Sequence, residues 1–207
     1  DPTADRTVTI PNATGTLFMS GADITFLAAL SGGADISVAT AASATAGDTL
    51  DQAQFNKFER ICRKLRIQPE SHVLEIGTGW GGFAIHAASR YGCHVTTTTI
   101  SREQHALAKE RIERAGLSDR VTLLLEDYRD LKGAYDRLVS IEMIEAVGHD
   151  FYDTFFRRCG ELLAPEGMML LQGITIADQR YESARRSVDF IQRHIFPGSC
   201  IPSVTVM

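Results

Sequence analysis

Apolar residues at Phe55, Phe58, Ile61, Cys62 and Leu65 recur at intervals of three and four, with Lys57, Glu59, Arg60 and Lys64 on the other faces. That spacing predicts an amphipathic helix ending before Pro69. Beyond it the period changes. Val73 to Ile76, Val95 to Ile100, Val121 to Leu125, Arg137 to Ile141 and Met168 to Gln172 are short strand-like runs, and Phe83 to Arg90, Glu103 to Ala115 and Phe151 to Leu163 have helical spacing. Strands alternating with helices predict an α/β fold, a mostly parallel sheet with helices on both faces. Pro165-Glu166-Gly167 reads as a tight turn feeding the fifth strand. A helix from Gln179 to His194 and a loop from Phe196 to Pro202 follow. Only Ser203 to Met207 then remain, so the sheet is expected to be truncated at its C-terminal side.

The first 48 residues differ in kind. Arg6 is their one basic residue, and Thr, Ala, Gly, Ser and Asp dominate. Thr7 to Ile10 alternates like a strand, Pro11 to Gly15 reads as a turn, and Thr16 to Met19 as a return strand, giving a small hairpin. Residues 3–16 also resemble a repeat of phage tail and fibre-type structural proteins. Residues 31–48 hold too little apolar bulk to repay ordering and read as a linker. The predicted organisation is an atypical segment over 1–48 and an incomplete catalytic domain over 49–207.

Between the first predicted strand and its helix lies Glu75-Ile76-Gly77-Thr78-Gly79-Trp80-Gly81-Gly82-Phe83. Glycines at a strand-to-helix turn allow a ligand close to the backbone, under the unpaired N–H groups of the following helix. Gly77, Gly79 and Gly82 satisfy the dinucleotide pattern G-x-G-x-x-G, yet a nicotinamide site also needs an acid about 20 residues further on. The second strand, Val95-Thr96-Thr97-Thr98-Thr99-Ile100, carries none. The acid precedes the glycines instead. This E-x-G-x-G form resembles the first motif of class I S-adenosylmethionine-dependent methyltransferases, whose cofactor has no pyrophosphate to neutralise.

Composition narrows the function classes. The net charge of −5 over 207 residues gives no general attraction to nucleic acid or anionic lipid. Cys62, Cys93, Cys159 and Cys200 show no zinc-ligand spacing and read as free buried thiols. His149 and His194 have no second ligand at helical spacing, so no metal is expected. No apolar run reaches the ~20 residues of a spanning helix, and no leader pattern opens the chain, so a cytoplasmic protein is expected.

Residues 49–205 resemble more closely the catalytic domain of the cyclopropane-fatty-acyl-phospholipid synthase and mycolic acid cyclopropane synthase family. The resemblance is carried by Asp51-Gln52-Ala53-Gln54, the run Val73 to Phe83, Thr99-Ile100-Ser101-Arg102-Glu103-Gln104, Asp127-Tyr128-Arg129-Asp130, Ser140 to His149, Phe196-Pro197-Gly198 and Ile201-Pro202-Ser203. It implies methyl transfer from S-adenosyl-L-methionine to the double bond of an unsaturated phospholipid acyl chain, then proton loss and closure to a cyclopropane. It implies a peripheral protein at the inner membrane face that binds no nucleic acid.

On the same basis Glu75, Gly77, Gly79, Trp80 and Gly81 belong to the cofactor site. Thr99, Ser101 and Gln104 lie near its ribose, and Asp127 and Tyr128 near its adenine. Ser101-x-x-Gln104 is equally a helix capping box. Glu145, Gln172 and Ile174 match the positions that hold a bicarbonate ion, the family's proton acceptor. Gln172 stands where many relatives have histidine, and Ala146 where many have the histidine of a Glu-His pair. Arg180, Arg185, Arg186 and Arg193 read as a solvated helix face or a contact for lipid headgroups. Two other readings stay open: a class I methyltransferase of small molecules, and an inactive fragment joined to a structural N-terminal segment.

Overall fold

The computed structural model describes residues 49–194 and 196–207, and before residue 49 only the backbone of four short strands. Those strands are β1 (Arg6–Thr9), β2 (Thr16–Met19), β3 (Asp23–Ala29) and β4 (Ser37–Val38). β1 pairs antiparallel with β2. The expected turn over 11–15 and the expected linker over 31–48, apart from the backbone of β4, lie outside the described residues.

Thr49 opens the next element. Its hydroxyl accepts from the Gln52 N–H and caps α1 (Leu50–Lys64). Then follow β5 (His72–Ile76), α2 (Gly82–Tyr91), β6 (His94–Thr98), α3 (Arg102–Arg114), β7 (Val121–Leu124), β8 (Tyr135–Ile141), α4 (Ile144–Val147), α5 (Tyr152–Leu162), β9 (Leu163–Ile174), α6 (Asp178–Arg185) and α7 (Phe190–His194). The sheet order is β4-β3-β9-β8-β5-β6-β7. The five strands from β9 to β7 are parallel, and β3 lies antiparallel on β9, from Asp23 opposite Ile174 to Ala29 opposite Met168.

Alternation along the central strands explains the two layers. Val73, Val139 and Leu170 point into one core, with Ile61 and Cys62 of α1, Leu65 just after it, and Phe83, Ala84 and Ala87 of α2. Leu74, Leu138, Met169 and Leu171 point into the other, with Phe155, Cys159 and Leu162 of α5. Successive side chains of a strand face opposite ways, so a run apolar at every position must be covered on both sides. The four thiols are free and buried, Cys62 and Cys93 in the first layer, Cys159 and Cys200 in the second.

Two expectations are corrected. The fifth parallel strand begins at Leu163 rather than Met168. Tyr135 pairs with Leu163 and Arg137 with Met168, so the residues around Pro165 bulge out of a strand already under way. The single helix expected over 179–194 is two. Asp189 Oδ1 accepts from Gln192 N–H at 2.8 Å, and Asp189 N–H donates to Gln192 Oε1 at 3.1 Å. That reciprocal capping box starts α7 and ends any continuation of α6.

Candidate active site

The glycine turn lies between β5 and α2, at the carboxyl ends of the parallel strands, where open α/β sheets bind ligands. Gly77, Gly79 and Gly81 have φ of 101°, 52° and 82°, backbone that favours glycine. Their surroundings differ. A Cβ on Gly79 would meet nothing within 4 Å, whereas one on Gly77 would lie 3.3 Å from Met143 Cγ, just beyond β8. One on Gly81 would lie 3.2 Å from Ala108 Cβ of α3. Gly81 therefore allows the close packing of the turn on α3.

Glu75 also departs from its expected role. It is 2 % exposed, and its Oε2 accepts from Thr97 Oγ1 at 2.6 Å, which lies 2.7 Å from Thr78 Oγ1. Burial pushes its carboxyl up to about 8, with the Thr97 hydroxyl opposing. Glu75 thus braces the turn from beneath through Thr97 and Thr78. The N–H groups of Gly77 and Thr78 both donate to Thr98 O, fastening the turn to β6.

After β6, Thr99 Oγ1 donates to Gln104 Oε1 at 2.8 Å and accepts from Ser101 N–H at 3.1 Å. Ser101 Oγ accepts from Gln104 N–H at 3.2 Å and caps α3. Ser101 is thereby a helix cap, while Thr99 and Gln104 form a polar pair beside the cradle. After β7, the Asp127 carboxylate takes three N–H groups of Arg129 at 2.7–2.9 Å. The Arg129 bonds hold that carboxyl below its usual range against burial. Tyr128 packs edge-on against Phe155, ring centroids 5.4 Å apart. Trp80 is 52 % exposed and donates no wall to the core; its carbonyl accepts from Arg111 Nη1 at 2.7 Å.

The cradle's geometry fits S-adenosylmethionine: open space beside Gly79, and polar groups after β6 and β7 on the same rim. Gly77, Gly79, Thr99, Gln104, Asp127 and Tyr128 are the residues that would hold it. Bound there it supplies a methyl group on a positively charged sulfur.

Across the Gly77–Met143 contact lies a second cluster. Glu145 Oε1 accepts from Ile174 N–H at 2.6 Å, and Glu145 O accepts from Cys200 N–H at 2.9 Å. Burial pushes the Glu145 carboxyl up, with the Ile174 N–H opposing. Gln172 lies two residues before Ile174 on β9, on the same face of the strand. Its Nε2 donates to Glu142 Oε1 at 2.9 Å, and Lys57 Nζ of α1 stands 3.5 Å from the same oxygen. Glu145, Gln172 and Ile174 are thus brought together. Glu142 and Lys57 were not anticipated. Glu142 lies within the run Ser140 to His149 but is not singled out there; it has φ of 53°, outside the usual range of a side-chain-bearing residue.

Bicarbonate is tested by the same atoms. Glu145 Oε2 and Gln172 Oε1 are buried without partners, the Ile174 N–H is taken by Glu145, and the Gln172 amide nitrogen faces Glu142. An anion needs donors, and these groups offer acceptors, so the described residues do not fit the ion.

The sequence profile of the family described as mycolic acid cyclopropane synthetase matches residues 33–207. The chain belongs to this family. It is 46% identical over 158 residues to the cyclopropane-fatty-acyl-phospholipid synthase of Escherichia coli strain K12, covering 76% of this chain and 39% of that one. It is 44% identical over 154 residues to tuberculostearic acid methyltransferase UfaA1 of Mycobacterium tuberculosis, covering 74% and 36%. The crystal structure of mycolic acid cyclopropane synthase CmaA1 complexed with SAH and CTAB superposes with a TM-score of 0.70 at 30% identity, covering 77% of this chain and 59% of that one. The chain spans about two-fifths of the length of these two curated relatives. The family is one of S-adenosylmethionine-dependent methyltransferases, and the mostly parallel sheet agrees with it. Among the described residues no helix is long and apolar enough to cross a membrane.

Proposed function

We propose that this chain carries the catalytic core of a methyltransferase that moves the methyl group of S-adenosyl-L-methionine to the double bond of an unsaturated phospholipid acyl chain, giving a cyclopropane fatty acid. The observation that carries the reading is the placement of Glu145, a buried carboxyl beside Gln172 and Ile174, across the Gly77–Met143 contact from the cofactor cradle. A carboxylate near the transferred methyl group can take up the proton that ring closure releases.

The rim supports an apolar substrate. The loop after α7 packs on the loop after α4, where a Cβ on Gly148 would lie 3.3 Å from Gly198 O. Phe151, Phe196 and Ile201 on these loops, with Ile174 and Phe190, are exposed. Large exposed apolar side chains on these elements suit contact with acyl chains or a membrane surface, and the peripheral membrane reading rests on them.

The test is methyl-labelled S-adenosylmethionine with vesicles of phosphatidylglycerol bearing one cis double bond per chain, followed by mass spectrometry of the released acyl groups. A gain of one CH2 as a ring is expected. Label in a methyl branch would revise the product, and label found only on added small amines or sterols would overturn the lipid reading. Bicarbonate, the family's base, would have to enter through groups other than the described donors.

A further inference from the structure

The polar chain at the ends of β8 and β9 is unusual in three respects. Glu142 sits at φ of 53° with its side chain 55% exposed, yet it makes two bonds to one residue: its N–H donates to Gln172 O at 2.8 Å, and its Oε1 accepts from Gln172 Nε2 at 2.9 Å. Lys57, from the first helix of the domain, supports that carboxylate from 3.5 Å. The oxygen of the same amide is buried and unpartnered, as is Glu145 Oε2. A carboxylate can only accept, so an amide bonded to Glu142 must turn its nitrogen that way and its oxygen the other. A non-glycine residue in left-handed backbone is strained, and such strain gathers at functional sites.

We propose that Glu142, supported by Lys57, is a positioning residue: it locks the Gln172 amide with its oxygen inward, so that the site receives a proton on Glu145 itself instead of holding an anionic base. The consequence for the reaction rests on the acyl methylation proposed above. In that reaction the methyl carbon leaves sulfur and bonds to one alkene carbon, making its neighbour cationic. A C–H bond of the added methyl then breaks. Its electron pair closes the second ring bond, and its proton goes to Glu145 Oε2 and on to water.

Glu142, just after β8, and Tyr152 of α5 face the Glu145 carboxyl, with Lys57 beyond Glu142, while the Cys200 N–H of the loop after α7 holds the Glu145 main-chain oxygen. The negative charge of Glu142 also raises the affinity of Glu145 for a proton. Glu142 therefore acts on Glu145 by charge and on Gln172 by geometry.

The test compares the full chain with its Glu142→Gly and Glu142→Gln variants. Glycine relieves the backbone, so Glu142→Gly is expected to melt at a higher temperature than the parent while its kcat on unsaturated vesicles falls at least tenfold and its KM for S-adenosylmethionine stays within twofold. In Glu142→Gln the acid limb of the kcat profile is expected to move to lower pH. Added bicarbonate is expected to leave the parent rate unchanged and to stimulate Glu142→Gly, whose freed amide can turn its donors inward. The proposal is overturned if both variants keep the parent kcat and pH profile, or if bicarbonate stimulates the parent. Nitrogen-15 spectra of the Gln172 side-chain amide, assigned by its loss in Gln172→Leu, provide an arm that needs no turnover. A parent signal shifted and slowed in exchange relative to Glu142→Gly supports the lock, and identical signals overturn it. If the parent transfers no methyl group to vesicles, the lipid reading falls and the amide signal alone decides the role of Glu142.

Discussion

The two halves of the site are built on opposite plans. Around the glycine turn, special backbone is given to glycine, and the buried acid beneath is enclosed by hydroxyls: Thr78 to Thr97 to Glu75, with Gly77 and Thr78 fastened to Thr98. At the ends of β8 and β9, left-handed backbone is given to glutamate, and two buried oxygens have no partner. A shape that must only receive a ligand can be settled in the resting fold. A group that must accept a proton keeps an unsatisfied atom, which is costly in a protein interior and so is a mark of chemistry.

Four substitutions test that contrast, beginning with the largest effect. Glu145→Gln keeps the shape and the bond from Ile174 but cannot take a proton. Turnover on lipid vesicles is expected to fall by roughly 10²- to 10⁴-fold, while calorimetric binding of S-adenosylhomocysteine stays within about threefold. Equal loss of both would mean that Glu145 supports the cradle instead.

Glu75 gives the next effect, and it belongs to stability. Its folded carboxyl titrates near 8, above the unfolded value of 4.5, so the folded state holds a proton that the unfolded state releases. Its contribution is present below pH 4.5 and is lost as pH rises from there through 8, by up to a few kcal/mol. Glu75→Gln is therefore expected to flatten the dependence of the urea midpoint on pH between about 5 and 9, and an unchanged slope would show that Glu75 is ionised in the fold.

Gly77→Ala adds a Cβ at φ of 101° against Met143. A loss of about 1–3 kcal/mol in stability and weaker S-adenosylhomocysteine binding are expected together, since this contact joins the halves. Asp189→Ala removes one side of the capping box of α7 and is expected to cost about 1 kcal/mol, measured by thermal melting, with the cofactor heat unchanged.

How much of this the sequence carried follows from the kind of force involved. The central strands and helices were legible because burial imposes a period, and Val73 and Leu74 facing opposite cores is what an unbroken apolar run requires. The helix break near residue 187 was legible in principle from Asp189 and Gln192, but the apolar spacing of Phe190 hid it. Side-chain direction was not legible. Glu75 and Gly81 lie within the glycine motif, yet one points beneath it and the other toward α3, because strand alternation and helix packing, not membership of the motif, decide where a Cβ points. Glu142 could not be found at all: its role depends on a backbone angle that glutamate rarely adopts and on partners 85 and 30 residues away in sequence.

The four buried thiols offer a way to watch the molecule come apart. Burial pushes Cys93 up to about 11 and raises Cys62 and Cys159 too, so each of these is a sluggish nucleophile until its surroundings open. Two of the four cysteines lie in each layer, so the rates at which a thiol reagent marks them in the native protein would time the opening of the cradle's layer separately from that of the α5 layer.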